Sequence, residues 1–530
     1  MTAYYVLEQL DQLEPIDIKY INVSKGAKED YYRHFLGTKV DEDYCQKHRA
    51  QFVSDPSFIF DKKNIMVSHN HETNMRVRVL PKIGNDMHPR IFREMKDKLK
   101  NNFTYDLKTD ISSFFTHDEM YPFRRLGKHF SCLTQSSNHI LGIEDLYRKD
   151  FAAQATDRYQ EQYETRPHCF SYDKFFPRSW VLYQSRQCVD FFKAFNSHEY
   201  ARLKKERNIV YLKKIGAHVH RGQGVLPVDD KEEHFLRHLY KNGTLCKVVH
   251  RPYVIQTFIH NPLLLEGHKF DFRVYLLVAS TNPVIAYAYD GYVRVSIHDY
   301  NTNAEHIGAM LTNTALSEDF FSFAKENGTY RGMNETELRD YHVWSFERLH
   351  GYLYQRGIVT DENWVSNYLR PEIRKIMLHA VRLSQGSYLK RSSIYGLLGL
   401  DLMLDSNLNL WFIEANVKPG LNGFSDSNKE FIAKMIIDHF EIVFGLLRSR
   451  TKRIVNFVNE MIENGDAWRI TNTQVFIRDI ENKRKEFQQV IMNRFEPEFE
   501  PSKDNGFTKI IDENYSGVDR YMGLLSHDCL

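Results

Sequence analysis

Three side chains able to hold a hard cation stand close together in the stretch YGLLGLDLMLDSNLNLWFIEANVKPGLNG, Tyr395 to Gly423: Asp401, Glu414 and Asn416. Apolar runs on either side of Ser406–Leu408 predict two short strands, Gly399–Asp405 and Asn409–Val417, joined by a tight polar turn. Glu414 and Asn416 are two residues apart, so on a strand they face one side. A turn centred between Asn407 and Leu408 sets Asp401 opposite Glu414, with Cβ atoms roughly 5 Å apart. Two carboxylates and an amide oxygen in one patch suit Mg²⁺, which takes oxygen ligands and usually shares them with nucleotide phosphates. The competing expectation is that these polar residues simply alternate out of a half-buried hairpin into water.

A second charged row lies upstream. In KFDFRVYLLVA, Lys269 to Ala279, the residues Lys269, Asp271 and Arg273 recur at a spacing of two and share a strand face, and Arg294 sits on the next predicted strand, Val284–Ser296. Such a face lines a polar cleft or is a solvated sheet surface. Earlier still, a short β-rich run at Asn208–Lys213 leads into KIGAHVHRGQGV, with glycines at 216, 222 and 224. Glycine removes the side chain that would keep backbone N–H groups from phosphate oxygens, so this loop can cradle an anion. The Walker pattern GxxxxGK[ST] is absent from it.

Positioning these groups takes more than one core. At 530 residues two to four domains are expected. We divide the chain into an N-terminal region, 1–120, without recognisable chemistry; a loop-rich segment, 121–207; a strand-rich unit, 208–300; a mixed unit carrying the hairpin, 301–445; and a C-terminal extension, 446–530. Strands are predicted at Phe175–Tyr183 and Tyr253–Ile259, and a charged helix at Glu199–Arg207. Pro371–Leu383 has proline in its first turn and an apolar stripe of Ile373, Ile376, Met377 and Ala380, which predicts a core-facing helix. Ser427 and Glu430 have capping-box spacing ahead of a helix ending near Leu447, where Arg448, Arg450, Lys452 and Arg453 would complement the helix dipole.

Composition narrows the classes. Hydrophobic residues make up 42% and charged ones 26%, which excludes a disordered or fibrous chain. A net charge of +2 gives no global field for nucleic acid or an anionic membrane. No apolar run reaches membrane-spanning length, because Asp438, His439 and Glu441 interrupt the best one. MTAYYVLEQLDQLEP has neither the basic nor the apolar region of a secretory signal. The six cysteines are scattered without a CxxC pair, which predicts a reducing compartment and neither a zinc site nor a disulfide framework.

The segments QTFIHNPLLLEGHKFDFRVYLLV (Gln256–Val278), LTN (Leu311–Asn313) and GLDLMLD…WFIEAN (Gly399–Asn416), in that order, resemble the tubulin–tyrosine ligase-like family of ATP-grasp ligases over roughly Arg124 to Gly445. The resemblance implies an α+β ATP-grasp fold, here with N-terminal and C-terminal extensions, that holds ATP between two lobes. It implies that Lys213 or Lys214 contacts phosphates, that Gln256, Phe258 and Ile259 border the adenine, and that Lys269, Asp271 and Asn313 join the nucleotide site. Arg273 and Arg294 would act at the transferred phosphate, and Asp401, Glu414 and Asn416 would hold Mg²⁺. ATP and Mg²⁺ are the implied cofactors. Tubulin or microtubules are the implied partner, with no nucleic acid and no membrane insertion, in the cytoplasm and cytoskeleton, extending to the cilium or flagellum.

Two functional expectations follow. One is an ATP-dependent ligase adding an amino acid, glutamate first, to tubulin through an acyl phosphate. Phosphoryl transfer needs positioning and charge neutralisation rather than a protein nucleophile. The other is a catalytically weak or inactive ligase fold serving a large microtubule or ciliary assembly. The intact Asp401, Glu414 and Asn416 favour the first; Glu318 where the family commonly has a lysine, Gln223 in the glycine loop and the long ends outside the match favour the second, and Lys213-Lys214-Ile215 in place of Lys-Pro is a further departure.

Overall fold

The computed structural model describes mainly residues 136–302, 332–463, 500–513 and 524–529, with short breaks at 141, 173, 217–223, 249–252, 389–393 and 422–424, and only a few short segments before residue 136. Asn313, Glu318, Gly222 and Gln223 lie outside the described residues. In chain order the elements that build the site are helix α1 (Lys149–Gln162), strand β1 (Ser179–Val181), α2 (Ser185–Phe195), β2 (Tyr211–Ile215), β3 (Val225–Pro227), α3 (Asp230–Tyr240), β4 (Tyr253–Thr257), β5 (His268–Thr281), β6 (Val284–Asp299), α4 (Arg370–Ser384), β7 (Ile394–Leu404), β8 (Leu410–Asn416), α5 (Asp426–Glu463) and β9 (Thr508–Asp512).

The strands form two main sheets. A small antiparallel sheet has the order β1-β4-β2-β3. Its core is aromatic: Phe191 and Phe195 of α2 stack at 4.8 Å between centroids, and Phe191 also meets Trp180 and Tyr211. The larger sheet is centred on β6-β5-β7, with β8 on β7 and short parallel strands continuing it beyond β7. Its long strands carry near-continuous apolar runs because both faces are covered. Phe270, Phe272, Val274 and Leu276 join the core that α4 completes through Ile373, Ile376, Met377 and Ala380. Asp271, Arg273 and Tyr275 alternate to the opposite face. There Tyr289 meets Phe431 of α5 at 5.6 Å and Tyr395 meets His439 at 5.5 Å.

Three sequence expectations are revised. Helix α5 runs 38 residues, to Glu463, so Arg448 to Arg453 lie within it and not at its end. Its first turn is capped by Ser425, whose Oγ accepts from the Asn428 N–H at 3.4 Å, rather than by Ser427. The segment 446–530 is no mere tail: β9 pairs with β6, with Ile510 and Ile511 fully buried. The cysteine expectation is corrected as well. Cys188 bonds Cys246 and Cys169 bonds Cys529, across 58 and 360 residues, distances over which sequence spacing says nothing about pairing. Among the described residues no helix is long and apolar enough to cross a membrane.

Candidate active site

The charged face of the large sheet is built by register. Asp271 pairs with Arg294 across β5–β6, Arg273 with Asp401 across β5–β7, and Asp401 with Glu414 across β7–β8. Near the turn, β7 and β8 pair in a register that would set Glu414 opposite Leu400, on the wrong face. A bulge at Ile413, between the Leu402–Phe412 and Asp401–Glu414 pairs, restores Glu414 to the Asp401 side. The turn itself is wound around buried Asp405. Its Oδ1 accepts the N–H groups of Asn407 and Asn409 at 2.9 and 2.8 Å, and its Oδ2 accepts Trp411 Nε1 at 3.0 Å.

On this face four side chains form one continuous chain of ion pairs, Asp271–Arg294–Asp401–Arg273. Arg294 grips Asp271 through Nε and Nη2, both at 2.7 Å. Arg273 grips Asp401 at 2.6 and 3.1 Å. Arg294 Nη2 also reaches Asp401 Oδ2 at 3.1 Å. All four are buried. Burial opposes ionisation of Asp401, but Arg273 and then Arg294 outweigh it and hold its pKa below the ordinary carboxylate value. Gly399 makes room for this arrangement: a Cβ there would stand 3.1 Å from Arg273 Cδ and 3.0 Å from Pro419 Cβ.

Facing these residues is a group of ammonium ions. Lys213 and Lys214 are neighbours on β2 and so point to opposite faces. Lys213 pairs with Glu232 of α3 and lies 5.0 Å over both the Phe235 and Tyr253 rings, away from the cleft. Lys214 points into it. Its Nζ donates to Gln256 Oε1 at 2.6 Å, and Gln256 is held by Ser179 Oγ at 2.9 Å. Burial, then the charge of Lys149, depresses the Lys214 pKa to about 8, with Glu414 opposing and Lys269 adding to the fall. Burial likewise brings Lys269 to about 8, against the pull of Asp271. Lys149 is lowered by burial and supported by Glu414. Phe258 is buried beside Ile209, and half-buried Ile259 follows it at the end of β4.

Lys149 escaped the sequence reading. It opens α1, where a lysine opposes the positive end of the helix dipole. That misplacement was the available signal. Asp150 offsets it: it takes Arg148 in two bonds, 3.3 and 3.0 Å, and accepts from Tyr183 Oη at 2.9 Å. This network fixes the helix start and leaves Lys149 to face Glu414.

The donor set fits a divalent cation in part. Half-buried Glu414 and Asn416 flank Asp401, and Asn416 Nδ2 stands 3.4 Å from Asp401 Oδ2. Rotating that amide turns its oxygen toward the same space. Asp401, however, already accepts three guanidinium bonds. It has about four acceptor positions in all, and Asn416 Nδ2 stands at the fourth, so it can share an oxygen with a metal only if the Asn416 amide turns or an arginine loosens. Counting charge, Arg273, Arg294, Lys149, Lys214 and Lys269 face Asp271, Asp401 and Glu414, a surplus of two positive charges. A nucleoside triphosphate carrying one divalent cation bears about two negative charges, and neutralises it.

Two sheets enclosing such a cleft define an ATP-grasp-like α+β fold. The family model described as the tubulin-tyrosine ligase family matches residues 128–452, and this chain belongs to that family. It is 28% identical over 225 residues to the inactive polyglycylase TTLL10 of Homo sapiens, covering 40% of this chain and 31% of that protein. It is 27% identical over 331 residues to human tubulin monoglutamylase TTLL4, covering 61% and 24%. Against human tubulin polyglutamylase TTLL5 it is 31% identical over 197 residues, covering 36% and 15%. The matched stretch thus spans less than a third of each relative.

Proposed function

We propose that this chain is an ATP- and Mg²⁺-dependent ligase that joins an amino acid, glutamate in the first instance, to a carboxylate of tubulin. The observation carrying this reading is the gathering of Lys149 and Lys214 about Glu414, with Lys269 beside Lys214 and Asp271, and with burial bringing two of the lysine pKa values down to about 8. Ammonium groups buried in a cleft, where desolvation disfavours their charged form, are arranged for an anion. Lys214, fixed by Gln256, and Lys269 and Lys149 from separate elements would grip the phosphates of ATP. Arg273 and Arg294, aligned by their carboxylate partners, would face the transferring group. Glu414 and Asn416, with Asp401 once the Asn416 amide turns or an arginine yields, would hold Mg²⁺, which supplies further charge neutralisation. Phosphorylating the acceptor carboxylate gives it a leaving group that the incoming amine displaces. Loss of one well-aimed donor of this kind costs about 3 kcal/mol of barrier.

The saturation of Asp401 by both arginines favours a second reading, a ligase fold that binds nucleotide without turning over, in a cytoskeletal or ciliary assembly. Incubating the purified protein with tubulin, Mg-ATP and each labelled amino acid in turn separates the two. The ligase reading expects one amino acid to enter tubulin, with Glu414→Gln and Lys214→Ala abolishing the signal. A folded, ATP-binding protein that incorporates none leaves the second reading standing.

A further inference from the structure

Outside the cleft, His168, Cys169, Asp528 and Cys529 bring together one nitrogen, two sulfurs and one carboxylate oxygen, all within 4.8 Å of one another. The site lies beyond the far end of α1 from Lys149, about 20 Å of helix away. Both cysteines are buried, while His168 and Asp528 are exposed and joined at 2.7 Å between Nε2 and Oδ2. The turn at His527–Cys529 is clamped to the ligase domain. Arg166 Nη1 donates to Asp528 O at 2.5 Å, Tyr163 Oη to Cys529 O at 3.4 Å, and both terminal nitrogens of Arg382 to the same oxygen at 3.4 Å. Donors from two distant segments are therefore joined by these contacts in addition to the Cys169–Cys529 bond.

We propose that, once this disulfide is reduced, the four side chains form a tetrahedral Zn²⁺ site that fastens the 526–529 segment to the end of α1. Zinc takes thiolate sulfur at about 2.3 Å and imidazole or carboxylate donors at about 2.0–2.2 Å. A tetrahedron of those bond lengths needs its donors roughly 3.3–3.8 Å apart, a spacing this cluster reaches by small side-chain rotations. Thiolates beside imidazole select zinc over magnesium or calcium. Reduction takes two electrons and two protons from a thiol reductant, which leaves as its own disulfide. The two thiol protons pass to solvent as the metal binds. The bonded and metal-bound forms are alternatives, so the segment stays fastened in either redox state. This site is independent of the ligase reading.

The test uses the whole chain, reduced with a phosphine and titrated with Co²⁺, then Zn²⁺. One equivalent of Co²⁺ per chain should give thiolate charge-transfer and tetrahedral d–d absorption that Zn²⁺ abolishes, with no bands from oxidised protein. Cys169→Ser and Cys529→Ser should remove the bands, His168→Ala should weaken binding by roughly 100-fold, and Cys188→Ser should leave it unchanged. Because cysteine variants can misfold, alkylation of reduced wild-type protein gives a second measure: Zn²⁺ should protect Cys169 and Cys529 selectively. Reduced, folded protein without cobalt bands, unprotected cysteines, or bands that survive the Cys169→Ser/Cys529→Ser pair would each overturn the proposal.

Discussion

Arg273 and Arg294 lie against carboxylates of their own sheet, whereas Lys149, Lys214 and Lys269 come from three separate elements and crowd one another. The first group is compensated in the folded chain itself: two guanidiniums, two carboxylates, all buried and mutually bonded. The second group is set against Glu414 and, at Lys269, Asp271, and burial, with Lys149 adding to it at Lys214, depresses the pKa values of Lys214 and Lys269. Charges that complete one another organise the sheet. Cations gathered from separate elements leave the cleft positive overall. Cationic side chains therefore serve different ends in one cleft, and the difference is readable only from the surroundings of each one.

The sharpest way to break this comparison is to remove a member of the compensated group. Arg294→Met strands Asp271 and half of Asp401 as buried carboxylates, and should cost about 3–5 kcal/mol of stability, measured as a shifted urea midpoint. A cost under about 1 kcal/mol would mean the quartet behaves like surface charge. Gly399→Ala acts on the same group through space rather than charge. Its Cβ would press on Arg273 Cδ and Pro419, so a loss of about 1–3 kcal/mol is expected. Acid should expose the group too. Asp401 has its pKa lowered, so its contribution is present above the ordinary carboxylate value and is lost as pH falls through the folded value.

Much of this cleft was legible in the chain. Period-two spacing places Asp271 and Arg273 on one face, and apolar runs and turn residues locate β5, β6 and β8 closely, while β7 begins at Ile394 and not at Gly399. The Asp401–Glu414 pairing was also foreseen, but its cause was not. A turn centred between Asn407 and Leu408 would give this pairing in an unbroken ladder, whereas the chain winds its turn around Asp405 and inserts a bulge at Ile413. A bulge depends on how two strands settle together, which no local pattern encodes. Lys213 and Lys214 could not be separated until β2 had a cleft side and an α3 side. Lys149 lay in a stretch with no chemical motif, and the cysteine pairs join segments that only the fold brings near.

The lysine group makes the complementary prediction, smaller in stability and larger in ligand response. Lys214→Met should change stability by no more than about 1 kcal/mol, since it relieves repulsion as it removes the Gln256 bond, yet should weaken binding of a non-hydrolysable ATP analogue by about 10-fold or more. An equal loss in both measures would place Lys214 with the compensated group and erase the contrast.

Proton linkage sharpens the point most finely. Lys214 and Lys269 titrate at about 8 in the free protein, against an ordinary value of 10.5. Between those two values the unfolded chain binds protons that the folded chain does not, so these groups make stability rise with pH across that window. Nucleotide binding has the opposite sign, because bound phosphate favours the charged ammonium and lifts both pKa values. Binding should therefore take up protons near pH 8 and almost none near pH 6.5, and affinity should fall as pH rises above 8. Calorimetry in two buffers of different ionisation enthalpy reads the uptake directly: heats that differ between buffers at pH 8 but agree at pH 6.5 are expected. Heats independent of buffer at both would show that the ammonium groups are already satisfied without a ligand, and the surplus charge would lose its meaning.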